Sequence, residues 1–461
     1  MSTRMPPPVS TRMRRSIDLA RWLQPGLGVK RWLFLAVLGA TLFVNGVSRY
    51  LTDEGVTLKI NELVDTLVSE FFPPGYLSWI FMVIGAVLVA LGIWRWLNAI
   101  VSAVAPHGTS KVIDAIRDKR LTRGYKIVVV GGGTGLSTML RGLKKITTNL
   151  TAVVTVSDDG GSSGRLQKEL GVLPPGDIRN CLVALADDEA LVTELFRYRF
   201  AEGEGLTGHS FGNLFLAAMT GITGNFDEAI KVSSRVLNVK GRVLPSTLAV
   251  ARLCAQLSDG RIVEGETQIT GAHGTIDHVY LDPPFAAPLD EVITALREAD
   301  AIVLGPGSLY TSIMPNLLID RVGREIEASN AVKIYVCNVM TQPGETDGYT
   351  ASAHVRALLR GADANVCEVA VVNDELPRKL LDEYAEEGQF PVQVDEDELR
   401  TLGVRVVRAN VISETQTVRH DSDRLAAVVV GIIDEAVAER ATYVRLNKPA
   451  TGPSTGPATT S

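Results

Sequence analysis

The sequence predicts an α/β fold in which a mostly parallel sheet carries helices on both faces and follows two transmembrane helices. Residues 127–130 form a continuous β-branched run, which is typical of a strand buried on both faces of a parallel sheet. Residues 152–156, 301–304 and 332–337 are further predicted strands rich in apolar residues, and each is followed by small or polar residues. Two long apolar runs precede all of these strands and predict the membrane segment.

The two long apolar runs predict a membrane hairpin with spans at about residues 28–50 and 76–101. A hydrocarbon core needs about 20 apolar residues. The second run meets that length, while the first must borrow residues from its flanks. The alternative is that one run forms the buried core helix of a soluble domain. Aromatic side chains lie near the ends of the runs, as interfacial aromatics do: Trp32, Tyr76, Trp79, Trp94 and Trp96.

The charge distribution predicts the orientation of the hairpin. Arginine and lysine cluster before the first span and again after the second, whereas the loop between the spans is mainly acidic. Positive residues favour the cytoplasmic side, so we expect a cell-membrane protein with both ends of the hairpin in the cytoplasm. The same basic residues would contact membrane lipid. A cleaved signal peptide is not indicated, because no small-residue cleavage site follows the first run.

Length and composition predict four segments. Residues 1–110 hold the basic N-terminus and the hairpin, 111–124 a basic linker, 125–445 one large cytoplasmic domain, and 446–461 a disordered tail rich in Pro, Gly, Ser and Thr. The formal net charge of −6 argues against a nucleic-acid partner. The four cysteines lack metal-ligand spacing, so we expect reduced thiols and no metal site.

The first strand of the domain runs into the glycine-rich sequence GGGTGLS. Glycines let the backbone turn tightly and approach a ligand, and a helix N-terminus behind such a turn readily binds anions. The expected helix is capped by Ser137 and continues to residue 145. Leu136 stands where the dinucleotide fingerprint has its third glycine, and no Walker lysine follows, so neither standard motif is present. The alternative interpretation is that the glycines serve only the close packing of strand and helix. The predicted phosphate-binding residues are Gly132, Gly133, Thr134 and Gly135.

A second cluster, SDDGGSSGR, follows the run at 152–156. Asp158 and Asp159 stand where α/β nucleotide sites commonly place a carboxylate on a ribose or sugar hydroxyl. Gly161 and Ser162 offer a backbone N–H and a hydroxyl, and Arg165 offers a charged fork for phosphate. Ordinary loop chemistry is the alternative, because Asp-Gly-Gly-Ser is also a common turn sequence.

Four further clusters extend the candidate site, and we place them at the carboxyl ends of strands, where ligands of open α/β sheets bind. Asp177 is interpreted as either a helix N-cap or a ligand residue. His209 is interpreted as either a buried structural histidine or a ligand contact. Asp259-Gly260, between two apolar runs, predicts a β-hairpin outside the main sheet. The candidate ligand-binding residues of these clusters are Asp177, Arg179, Asn180, His209, Asn213, Gly305, Gly307, Ser308 and Asn338.

These motifs together closely resemble the gluconeogenesis factor family, the YvcK-like branch of the CofD-like superfamily. The resemblance extends from about residue 125 to 443, and the hairpin is an addition to its soluble pattern. It implies a Rossmann-like fold, binding of a UDP-sugar such as UDP-N-acetylglucosamine, and a role in cell shape and cell-wall-linked carbon metabolism. The sequences that carry it are GGGTGLS, VSDDGGSSGR, PPGDIRN, GHSFGNLFLAA, GPGSLYTS and CNVMTQPGETDGYT.

Two classes of function fit these residues. The first is a membrane-anchored regulator that binds a nucleotide sugar without turnover. The second is a transferase of a phosphate-containing group, similar to 2-phospho-L-lactate transferase, with Asp158 or Asp159 holding Mg²⁺ or activating an acceptor hydroxyl. The sequence shows no base–nucleophile pair, which favours the regulator, while a cytosolic structural adaptor would leave the glycine-rich strand ends unexplained. A homo-oligomer, cell-wall synthesis partners and a regulatory kinase are left open.

Overall fold

The computed structural model describes residues 29–52, 76–104, 120–187, 189–373, 381, 384–413 and 419–446. The chain divides into two compact units, residues 1–119 and 120–461. The described part excludes residues 53–75 between the predicted spans, the first nine residues of the predicted linker, and residues 447–461 of the predicted tail. Most of the charged residues that predict the orientation of the hairpin lie there too.

The first unit contains two long apolar helices, α1 (Val29–Thr52) and α2 (Tyr76–Val104). Within them, Arg31–Ser48 and Ser78–Asn98 are long and apolar enough to cross a membrane. The predicted spans therefore coincide with helices of suitable length and composition. Only 11% of each span is buried, whereas the core helix of a soluble domain is mostly buried.

Glycines allow α1 and α2 to pack closely against each other. A Cβ atom added at Gly85 would lie 2.5 Å from the backbone nitrogen of Phe43, and Gly39, Gly46 and Gly92 face the opposite helix at similarly short distances. Small residues let helix backbones approach each other in lipid, where burial of apolar area gives little drive for association. The contacts therefore support a helical hairpin.

The second unit is built on a seven-stranded parallel sheet with the strand order β10-β9-β8-β7-β1-β2-β3. The chain winds outward from β1 to β3 and then returns to β7 on the other side of β1. Ligands of doubly wound sheets bind at such a reversal, outside the carboxyl ends of the strands. The strands are β1 (Ile127–Gly131), β2 (Leu150–Val154), β3 (Arg242–Pro245), β4 (Arg252–Leu257), β5 (Ile262–Glu264), β6 (Ile276–Asp282), β7 (Ala301–Leu304), β8 (Val332–Val336), β9 (Val369–Asn373), β10 (Arg405–Ala409), β11 (Ile412–Ser413) and β12 (Arg419–His420).

Helices cover both faces of this sheet, which confirms the predicted fold class. Side chains alternate along β1: Val128 and Val130 join the core on one face, and Ile127 and Val129 join the core on the other. A π-helical segment, Leu309–Ile313, follows β7. The helices of this unit are α3 (Gly133–Leu143), α4 (Gly161–Leu170), α5 (Gly176–Leu185), α6 (Glu189–Arg197), α7 (Phe211–Thr223), α8 (Phe226–Val236), α9 (Glu266–Gly271), α10 (Asp290–Glu298), α11 (Met314–Leu317), α12 (Val322–Ala328), α13 (Ala351–Ala362), α14 (Glu396–Thr401) and α15 (Ser422–Leu446).

A small antiparallel sheet, β5-β4-β6, departs from the main sheet between β3 and β7. Strands β4 and β5 form the hairpin predicted around Asp259-Gly260, and Gly260 adopts a positive φ of 87° in the turn. Helix α9 follows β5 directly. The small antiparallel sheet thereby leads into the short helix α9.

Three local predictions were wrong. Ser137 does not cap α3, which begins four residues earlier, and its hydroxyl donates to the Thr134 carbonyl inside the helix. Asp177 is not an N-cap, because Pro175 holds that position without a side-chain bond and Asp177 lies in the first turn of α5. The two clusters that contain Asp177 and His209 were placed at strand ends, but they follow helices α4 and α6.

Candidate functional site

A polar cavity of about 350 Å³ opens at the winding reversal between β1 and β7. Its walls come from the loop and helix after β1, the loop after β7, the segment after β8, α9, and strand β12. Seven of the residues predicted from the sequence line it: Gly132, Gly133, Thr134, Gly135, Gly307, Ser308 and Asn338. The other lining residues are Thr138, Glu266, Pro306, Ser312, Val339, Met340, Thr341, Gln342, Tyr384, Gln389 and His420.

The start of α3 forms one wall of this cavity. Its N-cap, Gly132, has no side chain to bond the first N–H groups of the helix, and Gly133 adopts a positive φ of 65°. A Cβ at Gly135 would collide with the carbonyl oxygen of Pro306, so that glycine lets the loops after β1 and β7 meet. Apart from the N–H of Gly133, which Asp177 accepts, the first backbone N–H groups of α3 lack an intrahelical acceptor and are available to an anion.

The loop after β7 faces the start of α3. Gly305 turns the chain with a positive φ of 81° and does not line the cavity itself. The Ser308 hydroxyl accepts a 2.8 Å hydrogen bond from Nε2 of Gln342, and the side-chain Oε1 of Gln342 accepts one from Nδ2 of Asn338 at 3.3 Å. Ser312, in the π-helical segment, completes this wall. Hydroxyl and amide groups thus follow the phosphate-type turn along the cavity.

Carboxyl groups gather beside and behind the glycine-rich turn. Asp177 accepts a hydrogen bond from the backbone N–H of Gly133, and a Cβ at Gly132 would collide with its carboxylate. Burial raises the pKa of Asp177 to about 6, and nearby Asp158 adds to that rise. Burial, with Asp177 and Asp158 as neighbours, raises the pKa of Glu266 to about 9. Glu266 is therefore protonated at neutral pH, and its buried Oε2 has no partner among the described residues.

The adjacent acids Asp158 and Asp159 have different surroundings. Asp158 accepts a 3.0 Å bond from the N–H of Gly160 and lies against Gly176 at the start of α5. Asp159 accepts bonds from the backbone N–H (3.0 Å) and the hydroxyl (2.8 Å) of Thr267, and so holds the first turn of α9. Neither carboxylate lines the cavity. Asp159 instead positions the helix that carries Glu266.

The remaining predicted residues form a separate polar network behind this site. Ser162 bonds to Nδ1 of His209 at 3.0 Å and accepts a bond from Asn213 at 3.1 Å, and His209 is buried. Arg179 donates to Ser210, Asn213 and Asn180, and burial lowers its pKa. Arg165 donates to the Thr207 carbonyl. Gly161 opens α4 at a positive φ of 47°. The network ties α4, α5 and α7 together.

Several cavity residues had no clear signal in the sequence. Glu266 follows a short edge strand, and His420 lies in a two-residue strand near the C-terminus. Tyr384 and Gln389 also come from a part of the chain without a motif. Thr341 and Gln342 belong to the CNVMTQPGETDGYT sequence at the end of β8, in which only Asn338 was predicted to contact a ligand. In the described part of the chain, no three His, Cys, Asp or Glu side chains are arranged to hold a metal ion.

Comparison with known proteins places this architecture in a family. Residues 127–412 match the family described as 2-phospho-L-lactate transferase CofD. The chain belongs to the CofD family. Within the CofD family it is similar to the Bacillus subtilis gluconeogenesis factor, with 49% identity over 312 residues that cover 67% of this chain and 98% of that protein. The resemblance deduced from the motifs is therefore confirmed.

Two further relatives show how far the similarity extends. A solved structure from Bacillus halodurans, described as a member of the UPF0052 family, has a TM-score of 0.65 and 47% identity, and the match covers 67% of this chain and 99% of that one. A Nostoc protein named "Putative gluconeogenesis factor" is 48% identical over 418 residues, 89% of this chain and 91% of its own length. That match is too long for residues 120–461 alone, so this relative shares part of the first unit.

Proposed function

We propose that the second unit binds a nucleotide sugar of the UDP-N-acetylglucosamine type in the cavity between the β1 and β7 loops. The start of α3 carries this proposal, because it lines a cavity at the winding reversal and its first-turn N–H groups, apart from that of Gly133, which Asp177 accepts, have no acceptor within the helix. Hydroxyls and amides farther along the cavity suit sugar and base groups. Relatives named gluconeogenesis factors support the assignment to carbon metabolism.

The proposal extends to location and process. The helices α1 and α2 anchor the chain in the cell membrane, with the binding unit on the cytoplasmic side, as the flanking basic residues indicate. Occupancy of the cavity would then report the supply of a cell-wall precursor at the membrane, and link carbon metabolism to cell shape. Partners in cell-wall synthesis or a regulatory kinase would respond to whether the cavity is occupied. A homo-oligomer is compatible with this role.

A second candidate function is transfer of a phosphate-containing group. The family description names such a transferase, and the protonated Glu266 beside the cavity is a group that could donate a proton to a leaving oxygen. Asp158 and Asp159 would hold Mg²⁺ in that reaction, but the described carboxylates are not grouped as a metal site. We therefore derive no metal-dependent step and favour binding without turnover.

One experiment separates the two functions. The full chain in lipid nanodiscs is titrated calorimetrically with UDP-N-acetylglucosamine and then kept with it while phosphorus NMR follows the pyrophosphate. We expect saturable binding and an unchanged ligand. Binding with breakdown of the pyrophosphate would favour the transferase, and no binding of UDP-N-acetylglucosamine would contradict the proposal.

A further inference from the structure

A second cavity, of about 800 Å³, shares no lining residue with the cavity between the β1 and β7 loops. Its walls come from strand β6, the π-helical segment, and helices α11 and α13. Cavities of this volume typically hold small organic ligands. The chemistry of the lining therefore indicates which kind of ligand would fit.

Much of this lining is apolar. Ile276 and Val279 of β6 and Met314 of α11 are buried side chains. Tyr310 and Tyr349 add two aromatic rings, and their hydroxyls are joined by a 2.7 Å hydrogen bond. Because the two hydroxyls are partners of each other, an apolar group beside the rings leaves neither of them without a hydrogen bond. This part of the cavity suits a hydrocarbon or aromatic body.

The charged part of the lining favours an anion. Arg356 and Arg360 are four residues apart on α13, an arrangement in which like charges repel. They pair with Glu398 and Asp277, at 2.6 Å and 3.3 Å, but all four side chains are 46–65% exposed, and such pairs contribute little. With His278 neutral, the two arginines and Asp277 give the lining a formal charge of 2 − 1 = +1. An anion beside both guanidinium groups would reduce their repulsion and accept charge-assisted hydrogen bonds.

We propose that this cavity is a second ligand site, which binds an organic anion with an apolar body. The body packs against Tyr310, Tyr349 and Met314. The anionic group, a carboxylate or a phosphate monoester, is bound by Arg356 and Arg360. The proposal does not rest on the nucleotide-sugar site, since the two cavities have no lining residue in common.

The test uses soluble probes on the full chain in lipid nanodiscs, with empty nanodiscs as the blank. 2-Naphthylacetate has an aromatic body and a carboxylate, 2-naphthylacetamide has the same body without the charge, and acetate has the charge without the body. Calorimetry at pH 7.5 should show 2-naphthylacetate binding at least about tenfold more tightly than the amide, and no saturable binding of acetate. 2-Naphthyl phosphate, titrated in the same way, shows which anionic group the arginines prefer. Equal affinity of the charged and neutral naphthyl probes, or binding of none of them, would overturn the proposal.

Variants of the lining locate the bound probe. Arg356→Gln combined with Arg360→Gln should lower the affinity for 2-naphthylacetate about tenfold and leave that for the amide unchanged. Arg321→Gln combined with Arg324→Gln is the matched control, because these exposed arginines of the α12 region do not line the cavity. Half-buried Ala353 lines it, so Ala353→Phe should fill space and weaken both naphthyl probes at least about tenfold. Affinities unchanged in the arginine variant would overturn the proposal, and thermal unfolding confirms that each variant is folded.

A variant of the first cavity separates the two sites. Thr138→Asp adds a charge to the first cavity and should leave the affinity for 2-naphthylacetate unchanged. If Thr138→Asp weakens the probe and the arginine variant does not, the probe lies in the first cavity and the second site is overturned. If 2-naphthylacetate binds as expected but UDP-N-acetylglucosamine does not bind, the second site is supported and the proposed function alone fails.

Discussion

Asp177 accepts a hydrogen bond from the backbone N–H of Gly133, so a carboxylate occupies one of the donors at the start of α3. This helix start is the wall that we assign to phosphate. An ionised Asp177 both takes a donor and repels an anionic ligand, whereas a protonated Asp177 does neither as strongly. The protonation state of Asp177 therefore changes the charge beside the start of α3.

The first prediction concerns pH. Because the pKa of Asp177 is raised to about 6, the group ionises as pH rises from 5 to 7, and affinity for UDP-N-acetylglucosamine should fall over that interval. Asp177→Asn should bind more tightly than wild type at pH 7.5 and should lose most of the pH dependence. Calorimetry with the diester ligand is the measurement, because its pyrophosphate has no terminal phosphate group that titrates near pH 6. A profile that is equally steep in the variant would contradict this role.

The second prediction concerns the contact between the two loops. Gly135→Ala introduces a Cβ that collides with the Pro306 carbonyl, so the β1 and β7 loops should separate and ligand affinity should fall at least about tenfold. Gly221→Ala is the control, since nothing lies within 4 Å of a Cβ at that helical position. It should bind normally and be as stable as wild type or slightly more so. Equal ligand affinity in both variants would show that the loop contact is dispensable.

The third prediction separates structural support from ligand contact. Asp159→Ala removes the acceptor for the first turn of α9 and should lower the free energy of unfolding of the domain by about 1 kcal/mol. Arg179→Ala removes three side-chain bonds of the buried network and should cost about 1–3 kcal/mol. Chemical denaturation measures both losses, and calorimetry on the folded variants measures affinity. A larger effect on affinity than on stability would assign either residue to the ligand.

The fourth prediction concerns the hairpin. A cysteine placed at Ser69, between the spans, should react with an impermeant maleimide added outside intact cells, whereas one at Ser110 should not. Both cysteines are introduced into a chain whose four native cysteines, all of them buried, are replaced by serine, so that the introduced thiol is the one that reacts. The protein should remain in the membrane fraction in high salt. Protection of both sites together with release by salt would show that the helices do not span.

The sequence predicted the sheet and the phosphate-type turn because both depend on local patterns. The β-branched run at residues 127–130 predicts a buried strand, and the glycines after it predict a tight turn. The expectation that ligands bind at the carboxyl ends of such strands identified Ser308 and Asn338, and both line the cavity. The order of the strands in the sheet was not predicted.

The rest of the cavity depends on contacts between segments far apart in the chain. His420 reaches the cavity only because β12 pairs with β11 and the ring bonds to Cys337. Glu266 reaches it because Asp159 holds the start of α9. Conversely, Arg179 and His209 carried suggestive motifs but bond mainly to other side chains of their own network. Polar residues among glycines are ambiguous in a sequence, since the same groups satisfy buried neighbours or a ligand.

The most direct test of the nucleotide-sugar site uses two threonines in equivalent settings. Thr138 in α3 lines the cavity and donates to the carbonyl four residues earlier at 3.0 Å, and exposed Thr294 in α10 makes the same bond at 2.9 Å. Thr138→Asp should place a negative charge in the cavity, while Thr294→Asp places one on a remote surface. Calorimetric titration with UDP-N-acetylglucosamine should show affinity reduced at least about tenfold in Thr138→Asp and unchanged in Thr294→Asp. Equal affinity in both variants and wild type would contradict the account, because the ligand would then bind elsewhere.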